Sequence, residues 1–287
     1  MSHHTMQKLV VRMLFDEAFV NTVHQNPDEA LARLTLTESE RAQLLSIDRR
    51  AWRHDALRRR RTLRTLAEEY KISTTIVLAE TRSLASQERF FSSDFFHTAV
   101  QNRGSMGIAF SEFLLEGCRQ GAWKAPQISD VVRLEAAIAA CRRSLEREEP
   151  PGELPADIHD RMRVKLAPGC SVASFQANII ETIQHVERYL FELSLMPAMA
   201  LCEDAPRLVD LPEVDQLKKV YLLFSPGTSG ISLTNIDRAS FLLLYEARRP
   251  VEIKSLLTKP GATKTVSIQM QEALSEWLES GVLMVVE

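Results

Sequence analysis

One stretch, Glu146-Arg-Glu-Glu-Pro-Pro-Gly-Glu-Leu-Pro155, limits the possible folds of this chain more than any other feature. Paired prolines, a glycine and crowded charge cannot continue a helix, so a linker is expected over 148–157. The patterning differs on its two sides. Before it, apolar residues recur at helical spacing; after it, Met162, Val164 and Leu166 alternate with Arg163 and Lys165, as a half-buried strand would. The expected class is α+β. A helical domain spans 6–147, a strand–helix connecting segment 158–205, and an α/β region 206–287.

Within the helical part, Leu9, Met13, Phe15, Phe19 and Val23 suit one helical face, and Asn26-Pro27 breaks the chain. Thr37-Glu-Ser-Glu40 reads as a capping box, with Thr37 and Glu40 each satisfying a backbone N–H of the other. A helix or helix pair is expected over 48–70, then helices over 74–86, 90–101, 108–119 and 128–149. Phe90, Phe91, Phe95 and Phe96 form a cluster that either fills a core or anchors a partner.

The 287 residues carry a net charge of −3, so no global field draws the chain to nucleic acid or an anionic membrane. Cys118, Cys141, Cys170 and Cys202 are far apart, without CxxC or histidine at ligand spacing, so neither a zinc site nor a redox dithiol is signalled. No secretory signal opens the chain and no apolar run approaches a membrane span, so a reducing cytoplasmic location is expected. His54, His97, His159 and His185 are isolated, and no GxSxG, HExxH, P-loop or GxGxxG occurs. No catalytic residue, metal ligand or cofactor of this chain is expected.

The last eighty or so residues carry the sharpest pattern. Val220-Tyr-Leu-Leu-Phe224 reads as a strand, Ser225-Pro-Gly-Thr-Ser-Gly230 as a turn, and Ile231-Ser-Leu-Thr-Asn235 as a second, alternating strand. Asp237 can cap a helix over 238–247. A short helix follows Pro250 over 251–257, a third runs from about Val266 to Glu279, and Val282-Leu-Met-Val-Val286 is a closing strand. This order describes a winged-helix-like unit.

That unit resembles the RiPP recognition element, the PqqD-like peptide-binding module of ribosomal-peptide biosynthesis. The resemblance rests on the strand pair leading through Leu233-Thr-Asn-Ile-Asp237 into a helix, and on Glu276-Trp-Leu-Glu-Ser-Gly281-Val-Leu at the end. It implies that a leader peptide adds as a strand to the sheet edge and packs against the third helix. Carried onto these residues, the peptide-binding set is Ile231, Ser232, Leu233 and Thr234, with Gln269, Glu272 and Glu276 on the helix. Further upstream, Leu9-Val-Val-Arg-Met-Leu-Phe15, Asn26-Pro-Asp-Glu-Ala-Leu31, Leu36-Thr-Glu-Ser-Glu-Arg41 and Ile47-Asp-Arg-Arg50 resemble the accessory partners of multinuclear non-heme iron-dependent oxidative enzymes. The TglI-like subunits of 3-thiaglutamate biosynthesis are the nearest such group, and the methanobactin-type (MbnC-like) partners a second. The resemblance implies a heterodimer with a TglH-like TIM-barrel enzyme that holds the iron and excises a cysteine β-carbon. This chain would hold the ribosomally made precursor or carrier peptide.

Two other readings compete. Arg49, Arg50, Arg53, Arg58, Arg59, Arg60, Arg61 and Arg64 make a basic stretch, with Arg53, Arg60 and Arg64 sharing a face if helical. A solvated face laced with Asp48, Asp55, Glu68 and Glu69 is the plain reading; docking to an acidic partner is the other. A winged helix also suggests a DNA-binding transcription regulator. Its third helix, however, offers Glu272, Glu276 and Glu279, which polyanionic DNA would repel.

Overall fold

A computed structural model describes residues 3–32, 34–53, 56–147, 161–196, 206–215, 217–227, 230–257 and 264–286. The expected linker over 148–157 and the turn at Lys259-Pro-Gly261 lie outside the described residues. The class is α+β, with many helices and two three-stranded antiparallel sheets.

In chain order the elements are α1 (His3–Phe15), α2 (Glu17–Gln25), α3 (Pro27–Leu31), α4 (Glu38–Ser46), α5 (Arg49–Arg53), α6 (Ala56–Glu69), α7 (Lys71–Thr81), α8 (Ala85–Glu88), a 3-10 turn (Arg89–Ser92), α9 (Asp94–Gln101), α10 (Met106–Arg119) and α11 (Ile128–Arg147). Then come β1 (Arg163–Leu166), β2 (Ser171–Gln176), α12 (Ile179–Leu195), β3 (Lys219–Gly227), β4 (Gly230–Ile236), α13 (Arg238–Glu246), β5 (Val251–Glu252), α14 (Ile253–Leu257), α15 (Lys264–Glu279) and β6 (Leu283–Val286). Contacts divide the chain into two compact units, one of residues 1–132 and 186–210, the other of 133–185 and 211–287.

The first unit is helical. The apolar stripe from Leu9 to Val23 is not one helix: Asp16 interrupts it and caps α2, its carboxylate accepting from the Phe19 N–H at 2.9 Å. An aspartate satisfies an orphan N–H there better than it would sit inside a helix. The stripe still lands in one core, where Leu9, Met13, Val20 and Val23 pack with Leu31, Leu44 and Trp52. The capping box of α4 forms as expected, with Thr37 Oγ1 accepting from Glu40 N–H and Glu40 accepting from Thr37 N–H. Three of the four clustered phenylalanines are interior, and Phe95 is half-buried. Phe90, Phe91 and Phe96 are fully buried, and Phe90 meets Phe110 at a ring distance of 5.1 Å in an edge-on arrangement.

The second unit holds both sheets. Their strand orders are β5-β1-β6 and β2-β3-β4. Residues expected to belong to a connecting segment thus supply the centre of one sheet and an edge of the other. β1 alternates as its sequence predicts, with Val164 fully buried, and it pairs with both Val251–Glu252 and the closing strand β6. Two expectations change here. Val251 and Glu252 form a short strand, not the start of a helix, because β1 offers them ladder partners. Ser225, Pro226 and Gly227 belong to β3, not to the turn, and Gly227 pairs directly with Gly230. Proline is tolerated in this central strand because β2 ends opposite Phe224, so nothing there needs the missing N–H.

One face of the β2-β3-β4 sheet packs on α13 and α15. Val172, Leu223, Leu243, Leu244, Leu274, Trp277 and Leu278 share this core with Val164 and Leu283, and Ile236 packs against it. The opposite face carries Phe175 and Phe224, which meet edge-on, and residues from 133 onward in α11 lie against it.

Candidate functional site

The two edges of the β2-β3-β4 sheet differ, and the hydrogen-bond parity shows how. In an antiparallel ladder, residues alternate between exchanging both backbone bonds with the neighbour and turning both groups away. Ala177 N–H donates to Lys218 C=O at 3.2 Å, which fixes the parity of the β2–β3 ladder. By alternation Val220, Leu222 and Phe224 bond toward β2, while Tyr221, Leu223 and Ser225 bond toward β4. The two-residue gap between the paired Gly227 and Gly230 requires the same parity. Hence Ser232, Thr234 and Ile236 are tied to β3, and Ile231, Leu233 and Asn235 turn their N–H and C=O groups outward.

At the β2 edge an outward carbonyl is already taken: Arg133 Nη2 donates to Ser174 C=O at 3.3 Å, with the guanidinium over the Phe175 ring. At the β4 edge, among the described residues, the outward groups of Ile231, Leu233 and Asn235 have no partner. An extended segment could bond there in ladder fashion. Ile231 and Leu233 are half-buried on the face shared with Phe224, and Ser232 and Thr234 are exposed on the other. The edge therefore presents an apolar shelf on one side and hydroxyls on the other.

The remaining expected site residues are placed less closely. Glu272 and Glu276 are exposed on α15, while Leu274, Trp277 and Leu278 bury its other side. Through the shared core, α15 and the end of β4 belong to the same packing cluster. The Gln269 side chain lies outside the described residues. In the basic stretch, Arg64 pairs with Glu68 at 2.9 Å, and Arg60 is exposed four residues earlier on the same helix, α6. Arg53 ends α5, and residues 54 and 55 and the Arg53 side chain are not described, so a face common to all three arginines is not established.

Sequence reasoning did not single out Arg133 or Arg142. Both lie on the polar side of a helical pattern, where an arginine that reaches a sheet looks like one that reaches water. The aromatic run Tyr221, Phe241 and Tyr245 was missed for another reason. Tyr221 and Phe241 come from different elements, and their 4.8 Å ring contact exists only after folding.

The three described thiols are held protonated. Burial pushes Cys118 up to about 11 and Cys170 up to about 12, and it raises Cys141 as well. Thiolate is the reactive form, so Cys118 and Cys170 should alkylate with iodoacetamide at pH 8 more slowly than a free thiol, on the order of a hundred-fold or more. Mass spectrometry of the intact folded chain against the urea-unfolded chain reads this directly, and equal rates in the two states would contradict it. Among the described residues, no three His, Cys, Asp or Glu side chains could together hold a metal ion, and no helix is long and apolar enough to cross a membrane. Compared with known proteins, the chain matches no protein-family model and no curated sequence.

Proposed function

We propose that this chain is a non-catalytic partner subunit. It binds a ribosomally made precursor or carrier peptide as an added strand on β4, and presents the peptide's C-terminal cysteine to an iron-dependent oxidative TIM-barrel enzyme. The observation that carries the reading is the β4 edge, where the outward backbone groups of Ile231, Leu233 and Asn235 have no partner among the described residues. The element order of hairpin, helix, short helix, long helix and closing strand agrees with a winged-helix peptide-recognition unit. The exposed carboxylates of Glu272, Glu276 and Glu279 weigh against the rival reading, a DNA-binding regulator, since they would meet phosphate with like charge.

The test is co-expression with a TglH-like iron-barrel enzyme, with and without that enzyme's carrier peptide. The expected result is a heterodimer that survives size exclusion, with peptide bound to it. Two proteins that never associate, even with peptide present, would overturn the partnership. A salt-dependent gel shift on the chain's own promoter region would favour the regulator instead.

A further inference from the structure

The open edge has a charge at one end. Arg142 lies on α11, within the second unit, and its side chain reaches the hairpin tip: a Cβ placed on Gly230 would stand 3.9 Å from Arg142 Nη2. The guanidinium is exposed and has no ion-pair or hydrogen-bond partner among the described residues. Arg133, on the same helix, is instead spent on Ser174 C=O and Phe175. Two arginines of one helix thus meet the sheet differently, one bonded to a carbonyl of the β2 edge and one standing beside the β4 edge.

We propose that Arg142 is a specificity-determining residue that reads a carboxylate side chain on the guest strand. The inference rests on the edge reading above and adds to it. Register supplies the position. In an antiparallel guest, the favoured sense in a sheet whose own ladders are all antiparallel, the residues opposite Leu233 and Ile231 are two apart. The next residue lies opposite Gly230. Gly230 closes the hairpin, and the 3.9 Å approach of Arg142 Nη2 to its Cβ position puts a guest side chain opposite it within reach of the guanidinium across the sheet edge. Gly230 has no side chain to intervene, and its φ of +133° is one that glycine adopts readily. An Asp or Glu there can take a charge-assisted, bidentate bond from the planar guanidinium; a Lys or Arg would be repelled. Because the pair is partly solvated, its main effects are on selection and register.

The probe is an array of synthetic nonapeptides in which the four central positions vary over all residue types, read with the labelled full-length chain. The wild-type chain should select peptides with Asp or Glu at one fixed place, directly after the residue facing Ile231. Arg142→Glu should weaken those peptides about three- to ten-fold and strengthen their Lys counterparts, while Arg142→Lys keeps the acidic preference in weaker form. Leu233→Pro is the companion variant, and circular dichroism confirms that all variants are folded. If Arg142→Glu leaves the acidic preference unchanged while Leu233→Pro abolishes binding, the Arg142 inference falls and the edge reading stands. If Leu233→Pro changes nothing, or no peptide is bound at all, both fall together.

Discussion

Phe90→Ala is expected to remove about 3–5 kcal/mol from the stability of the helical unit, a large share of what a domain of this size has. Phe90 is fully buried and touches four other phenylalanine rings: Phe91, Phe96, Phe110 and Phe113, at 5.7, 5.4, 5.1 and 5.7 Å. These rings come from the 3-10 turn, α9 and α10, so the cavity would open where three segments converge and collapse would be limited. The edge-on and tilted contacts are lost along with the buried area. Trp52 and Trp123 are both buried in this unit and report its unfolding by fluorescence. The urea midpoint should fall by about 2 M if the slope is near 2 kcal/mol/M, with the slope itself unchanged. Phe90→Leu retains most of the apolar contact and should lose only a minor part. A midpoint within a few tenths of a molar of wild type for Phe90→Ala would mean that the cluster is not the core of this unit.

The same cluster shows what can be read from sequence. The burial of Phe90, Phe91 and Phe96 was legible because four phenylalanines within seven residues are hard to keep in water; which of them stays half-exposed, Phe95, was not. The capping box at Thr37 and Glu40 was legible because capping is local chemistry, complete within four residues. So were β3, β4 and the Asp237 cap, whose carboxylate accepts from the Ser240 N–H at 2.8 Å and is held below the ordinary carboxylate range by that bond. What escaped was decided at a distance. Strand β2 carries Val172 and Phe175, buried on opposite faces, so the alternation that marks a half-exposed strand is absent. Val251 and Glu252 are a strand only because β1, nearly ninety residues earlier, lies beside them. Pro226 reads as a turn residue until the shortness of β2 is known.

The candidate site divides along the same line. That residues 231–234 form a strand follows from their pattern. That this strand is an edge, and which of its backbone groups turn outward, both depend on pairing, and pairing is non-local. The helix residues Glu272 and Glu276 can be placed on the exposed side of α15 from periodicity alone, since Leu274, Trp277 and Leu278 fix the buried side. Their distance from the edge cannot be read that way.

Parity makes the strongest demand on the edge. A proline scan along β4 should alternate in its consequences. At Leu233 and Asn235 the backbone N–H faces away from β3, so proline removes no ladder bond and the fold should survive, as at other edge positions. At Ser232 and Thr234 the N–H is bonded to β3; proline there breaks the ladder beside the buried Leu223 and should cost about 3 kcal/mol or more. Binding runs the other way for the outward positions. Leu233→Pro deletes a donor to the guest and sets a ring where the guest's carbonyl must approach. One lost intermolecular bond is worth about 0.5–1.5 kcal/mol, and the steric block adds to it, so peptide affinity should fall by about ten-fold or more. Leu233→Ala keeps the N–H while trimming the apolar shelf and should fall between the two. Thermal unfolding followed at Trp277 and peptide binding by fluorescence anisotropy, measured on the same five variants, separate the effects. If Leu233→Pro unfolds the unit as readily as Thr234→Pro, the outward face has been assigned to the wrong residues. If it folds and binds peptide as wild type does, no guest strand uses this edge.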